Sequence, residues 1–324
     1  MYNQPENIIE KYEVEAEQIS KGRGNYICNT KQGMKVLVPF RGSKERADFL
    51  RTFLADLKEQ GYLAEQIMLT KEGEVLAEDD FGGKYLLKDL MPGSECSTKS
   101  REDMKNAAGS LAVFHNYSEK FQGRIPDFWI NNARSLSQIY EKHMKEFITV
   151  KNYVRTRKQK NSFEQSFQKH YPYFMQNATG ALKMLSESEP DQREYLFCHG
   201  DYNQHNVLRQ KENYQIVHFE HLEYFVPMMD FSNYMRKMLE KNDWEVELGD
   251  QLINAYGKYR NLSKKELHQL YVMLWFPEKF WKLVNHYNNS RKSWLSERDV
   301  EKMDRMIEQE AQKQLFLENL FSFL

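Results

Sequence analysis

Apolar and polar positions alternate with a period of two in runs 26–29 and 34–38, and a Lys-Gln-Gly turn at 31–33 joins them. That alternation predicts a β-hairpin. Beyond Ser43, a good helix N-cap, Phe49, Leu50, Phe53, Leu54 and Leu57 recur at helical spacing as far as Gly61. Two further strands are predicted at 66–70 and 74–78, around a Lys-Glu-Gly turn, and a fifth at 84–87 leads into Lys-Asp-Leu-Met-Pro-Gly. Two strands, a helix and three more strands describe a small antiparallel sheet carrying one helix.

Past Gly93 the period changes from two to 3.6. Ser100 and Asp103 form a capping-box pattern before an apolar stripe of Met104, Ala107, Ala108, Leu111 and Ala112. Residues 131–186 read as strongly charged helix. Two short apolar strands then interrupt, at 195–198 and 215–219. Helices resume behind capping-box patterns at Ser263/Glu266 and Ser296/Asp299. The reading is an α+β protein, with a strand-rich lobe over residues 1–90 and a helical lobe over 91–324.

Charge adds little to this picture. The 46 Lys and Arg balance 47 Asp and Glu to a net charge of -1, which argues against a nucleic-acid partner. A 40% hydrophobic and 14% aromatic content excludes disorder. No apolar run approaches the roughly 18 residues of a membrane span, and the first residues lack the basic and apolar regions of a secretory leader. The three cysteines, Cys28, Cys96 and Cys198, lie far apart, as reduced intracellular thiols do. A soluble cytoplasmic protein is expected.

The chemistry concentrates in His199-Gly200-Asp201-Tyr202-Asn203-Gln204-His205-Asn206. An Asp followed five residues later by an Asn, on a loop after a short strand, is how a kinase catalytic loop is built. The Asp accepts the proton of the attacking hydroxyl and the Asn oxygen holds a metal ion on the phosphates. This H-G-D-x-x-x-x-N run resembles the aminoglycoside phosphotransferase and choline kinase-like families. Within them, LKEQGYLAEQIMLTKEGEVL, CHGDYNQHNVL and DFSNYMRKMLEKNDW look most like the CotS-type spore coat branch. The resemblance covers nearly the whole chain. It implies a two-lobed kinase-like fold, Asp201 and His199 in the catalytic loop, and a hinge at Asp89 and Leu90 facing the nucleotide. It also implies Asp230 as a structural carboxylate, and ATP with Mg²⁺ as the cofactors to test for.

Two departures from the family pattern bear on activity. The phosphate-gripping lysine expected at the end of the second strand of the hairpin is Val38, and alternation turns Lys35 to the opposite face. The metal-binding position, Asp in the family's I-D-F-D or I-D-W-E, is His218 in Val217-His218-Phe219-Glu220. Imidazole is a poor ligand for Mg²⁺, which favours hard oxygens. That leaves Asn206, His218 and Glu220 as the metal-side residues, with Glu220 as readily a salt-bridge partner as a ligand. The glycine-rich loop is reduced to Lys21-Gly22-Arg23-Gly24. Together these predict a pseudokinase acting by binding, to other spore coat proteins or to a small molecule, in the cytoplasm or assembled into the coat. The alternative is an active small-molecule phosphotransferase in which another lysine reaches the phosphates.

Simpler explanations account for the other conspicuous runs. The cluster of Cys198, His199, His205, His218 and His221 matches no zinc spacing. The basic stretch 151–169 reads as a solvated helix face. The aromatic residues around Pro277 read as core of the helical lobe, broken by the proline.

Overall fold

The computed structural model describes residues 5–290 and 297–324. A short helix α1 (Pro5–Ile9) precedes strands β1 (Ala16–Lys21), β2 (Tyr26–Thr30) and β3 (Gly33–Pro39), helix α2 (Lys44–Glu59), and strands β4 (Ala77–Glu78) and β5 (Lys84–Asp89). These strands form one antiparallel sheet in the order β1-β2-β3-β5-β4. The hairpin and the 84–87 strand lie where the alternation places them. β1 is an addition: as an edge strand exposed on nearly every residue, it carries no apolar alternation to read.

The strands expected at 66–70 and 74–78 shrink to the two residues of β4 and isolated bridges at Ile67 and Thr70. The outer edge of β5 is shared: β4 takes Lys84 and Tyr85, while Ile67 bridges Lys88 and the Met68 N–H donates to the Leu87 carbonyl. Neither segment has room for a full ladder. The two faces of the sheet differ in what they meet. Leu37 and Leu87 pack outward with Tyr12 and Cys28, whereas Val36, Val38 and Leu86 face α2 and the rest of the molecule.

The remainder is helical, with short strands inserted. In order come β6 (Ser94–Glu95), α3 (Arg101–Glu119), α4 (Asp127–Asn131), α5 (Leu136–Thr156), α6 (Ser162–Leu185), β7 (Leu196–Cys198), β8 (Val207–Gln210), β9 (Asn213–Ile216) and β10 (Glu223–Phe225). Then follow α7 (Met228–Lys241), α8 (Val246–Gly257), α9 (Lys264–Trp275), α10 (Glu278–Asn289), α11 (Glu297–Glu308) and α12 (Glu310–Phe321). The Ser263/Glu266 box forms in full. At α3 only half does: Ser100 caps the Asp103 N–H, but the Asp103 carboxylate turns to the Ser97 N–H, Arg209 and Tyr214 instead. Ser296 lies outside the described residues. β8 went unforeseen, since half of it is exposed and polar.

One apolar core runs through both lobes. Phe49 and Phe53 of α2 pack on Phe197 of β7 at centroid distances of 4.7 and 5.1 Å, with Phe114 of α3 beside them. The basic stretch 151–169 is not one helix face: Lys151 and Arg155 end α5, Arg157, Lys158 and Lys160 lie in the connection and Lys169 in α6, mostly exposed, while Glu164 among them is buried and pairs with Arg157 at 3.2 Å. Pro277 separates α9 from α10, and Phe276 and Phe280 beside it are fully buried.

Candidate functional site: the cleft around Asp201 and His218

β7 delivers the chain into a tight turn at His199-Gly200-Asp201. Gly200 has φ +80°, and a Cβ there would stand 1.9 Å from the His221 carbonyl oxygen, so the turn needs glycine on both counts. Asp230, in the first turn of α7, braces this turn from behind. Its carboxylate accepts the His199 N–H at 2.6 Å and the Gly200 N–H at 3.0 Å, with His115 Nε2 at 3.4 Å. Burial opposes the charge on Asp230, but the bond from His115, with the nearby imidazoles and the Gly200 N–H, holds its carboxyl below the usual range.

The His199 ring is fully buried. Its Nε2 donates to the Val217 carbonyl at 2.9 Å, and its Nδ1 accepts the Asp201 N–H at 3.2 Å. Both ring nitrogens are thus committed to shaping the loop. Asn206 folds back on the same loop: its Nδ2 donates to the Asp201 carbonyl at 2.8 Å and lies 3.4 Å from Asp201 Oδ2. The other Asp201 oxygen, Oδ1, accepts from Lys237 of α7 at 3.2 Å.

Asp201, Asn206, His218 and Glu220 line one cavity of about 360 Å³ with Val38, Pro39 and the Gly24 turn. Val38 therefore faces the cleft. Lys35 lies on the opposite face, 2.5 Å from Asp89 across the β3–β5 ladder. The hinge residues do not line this cavity: the Asp89 carboxylate holds Lys35, and the Leu90 N–H donates to the Met34 carbonyl at 3.1 Å.

Behind the cavity lies a charge cluster that the sequence reading missed. Lys88 of β5 pairs across the ladder with Val36, so it points to the same side as Val38, one strand over. It is 0% exposed. Its ammonium donates to Glu65 Oε1 at 2.8 Å and to the Glu220 carboxylate. Glu65 also accepts the backbone N–H groups of His218 and Phe219, each at 3.1 Å. Burial pulls the Lys88 ammonium down, but Glu220 and Glu65 more than offset this and raise it. Burial likewise opposes charge on Glu220, yet Lys88 and His218 drive its carboxyl far below the usual range.

The backbone clamp from Glu65 explains why the strand expected through residue 219 stops at Ile216. His218 adopts the left-handed conformation, φ 68° and ψ 53°, and Phe219–His221 form one 3₁₀ turn. Glu220 therefore swings inward to Lys88, with its Oε2 3.7 Å from His218 Nδ1. A lysine on the buried register of an apolar strand was the one available signal for this cluster. Glu65 carried none. As a Mg²⁺ site the donor set fits poorly: one carboxylate is already engaged by a buried lysine, and the other position offers imidazole nitrogen.

The five-residue cysteine and histidine cluster does not assemble. Cys198 lies instead within 4.8 Å of His115 and Asp230, whose hydrogen bonds serve the loop. A second and larger cavity, about 470 Å³, opens on the other side of the 199–206 loop. His205 lines both cavities, and the Lys237–Asp201 contact joins them.

Residues 5–320 match the family model described as "Spore coat putative kinase YutH". The chain is 24% identical over 308 residues to spore coat protein S of Bacillus subtilis (strain 168), covering 92% of this chain and 87% of that protein. Among solved structures, an aminoglycoside phosphotransferase from Alicyclobacillus acidocaldarius superposes with a TM-score of 0.83 at 16% identity, covering 99% of this chain and 96% of the other. The choline kinase LicA from Streptococcus pneumoniae gives 0.53 at 14% identity, covering 94% and 96%. These likenesses establish a two-lobed kinase-like fold. The chain belongs to the YutH spore coat family.

Proposed function

We propose that this member of the YutH family is a spore coat protein that keeps the kinase fold as a binding scaffold and has lost efficient phosphoryl transfer. The observation that carries this reading is the enclosure of Lys88 by Glu65 and Glu220 behind a cleft wall formed by Val38. Phosphoryl transfer relies on cations placed on the phosphates and on a metal held by carboxylates. Here the nearest buried cation is shared between two carboxylates, Glu65 and Glu220, and is not free to meet a phosphate. In this reading Asp201, Asn206 and His199 preserve the frame of a catalytic loop, and the cleft binds nucleotide weakly, without help from Mg²⁺. Its place is the coat, among other coat proteins. No helix of the described residues is long and apolar enough to cross a membrane.

A second reading, an ATP-dependent small-molecule phosphotransferase, draws on the close Asp201–Asn206 geometry and on the cavity beside it. In that version Asp201 is the base and Asn206 and Glu220 hold metal. Calorimetric titration of the purified protein with ATP, with and without Mg²⁺, separates the two. Equal, weak heats in both titrations are expected. Saturable, Mg²⁺-dependent binding at micromolar concentration would overturn the first reading in favour of the second.

A further inference from the structure

We propose that the cavity on the α7 side of the catalytic loop binds a small acidic molecule, a phosphorylated or multiply carboxylated hydroxy compound. This rests on the reading above, in which the fold serves to bind. Of the charged side chains lining the cavity seven are basic and three acidic; Asp201, Asp299 and Asp243, just outside the lining, pair with Lys237, Lys302 and Arg305, which leaves one positive charge in surplus in a chain of net charge -1. The cations come from several directions: Lys237 and Lys241 from α7, Lys302 and Arg305 from α11, and Lys313 from α12. A receptor for a cationic acceptor would show the reverse balance, because a like-charged lining repels its ligand.

The three carboxylates are already engaged. Glu240 accepts from Arg236 at 2.7 Å and Lys279 at 3.0 Å; Glu278 pairs with Lys282 at 3.3 Å. Glu310 accepts from Tyr173 and Gln314, both at 2.9 Å. Two lysines are left without such a partner. Among the described residues, neither Lys241 nor Lys313 has a carboxylate within 4.0 Å.

Lys313 is 8% exposed, and its contacts are the Trp275 carbonyl at 3.5 Å and the Trp244 ring at 5.5 Å. A buried cation held only by a carbonyl dipole and a ring face is costly, and an entering anion removes that cost. In line with this, burial lowers both ammonium groups from their usual range; Lys237 and Arg23 add to the effect at Lys241, while Glu310 and Glu240 oppose it at Lys313 without cancelling it. Phe174, Phe276 and Phe280 supply apolar wall, so the site suits a compact molecule with an acidic end and a carbon skeleton. Lys237, shared with Asp201, places the acidic groups next to the catalytic loop.

The test is thermal shift and calorimetry on the full chain at low salt, with glycerol 3-phosphate and fructose 1,6-bisphosphate as acidic probes and kanamycin as the polycationic control. The expected result is stabilisation by the phosphate esters that fades with added salt, and none by kanamycin. Lys313→Met and Lys241→Gln should each weaken the esters by about tenfold or more. Lys313→Met removes a buried unpaired charge and should fold at least as stably, and the exposed Lys241 gives a second variant. Kanamycin binding, or ester binding unchanged in both variants, would overturn the proposal. The Mg²⁺–ATP titration on the same sample keeps the two readings apart. Ester binding together with tight Mg²⁺–ATP binding sinks only the pseudokinase reading. Absence of both sinks only the acidic ligand.

Discussion

Lys88 of the sheet and Glu220 of the helical lobe form an ion pair that crosses from one half of the fold to the other. Both partners are nearly sealed from water, with side-chain exposures of 1% and 11%. Removing the lysine alone would strand two buried carboxylates. Lys88→Met should therefore cost about 3–5 kcal/mol, and pairing it with Glu220→Gln should restore a large part of that loss. Urea unfolding midpoints measure both. A loss under about 1 kcal/mol for the single change would show that water reaches the cluster.

Rebuilding the cleft should require two changes together. Val38→Lys with His218→Asp is expected to produce nucleotide-induced thermal stabilisation that depends on Mg²⁺. Each alone should do less, because lysine and metal act on the same phosphate charge. Val38 is 4% exposed, so the lysine alone should cost about 1–3 kcal/mol. A double variant no more responsive than the natural protein would mean that the hold of Lys88 on Glu220 closes the site by itself.

Gly200 and Gly24 both have positive φ, +80° and +75°, but only Gly200 faces a backbone atom where its Cβ would go. Gly24→Ala should lose roughly 1–2 kcal/mol for left-handed backbone alone. Gly200→Ala should lose clearly more, since the His221 carbonyl must move and the loop with it. Equal losses in denaturant titrations would contradict the close approach.

Acid should weaken the protein well before its carboxylates protonate. Burial lowers the imidazoles of His115 and His199, although Asp230 opposes the shift in both. Their unfolded value is about 6.5, so below that pH the unfolded chain binds more protons. The stability they protect is complete above about pH 6.5 and is lost as pH falls toward their folded values. Each contributes a slope of up to about 1.4 kcal/mol per pH unit. Unfolding free energies measured from pH 7.5 to 5 should trace this fall, and His115→Gln should flatten it. A flat profile for the natural protein would contradict the neutral buried imidazoles.

The geometry of the 199–206 loop was legible because its spacing is local: Gly200, Asp201 and Asn206 sit within one short run, and strand alternation alone placed Val38 and Lys35 on opposite faces. The Lys88 cluster was not, because it joins residues 65, 88 and 220, far apart in sequence, and no periodicity couples them. The same holds for the turn at His218. An apolar run predicted a strand there, and a carboxylate from the other lobe caught its backbone amides instead. β1 and β8 escaped notice because exposed, polar strands owe their existence to hydrogen bonds with a neighbour rather than to a buried face.

Phe49 and Phe53 rest on Phe197, so no apolar boundary separates the strand lobe from the helical one. Modularity is lost as a result. A fragment cut near the hinge would carry a raw aromatic face on each piece, and such faces self-associate or aggregate rather than stay monomeric. The chain can thus be inherited, exchanged or expressed only as a whole, and the strand lobe cannot be dispensed with whatever the cleft does, because it is the lid on the other lobe's core.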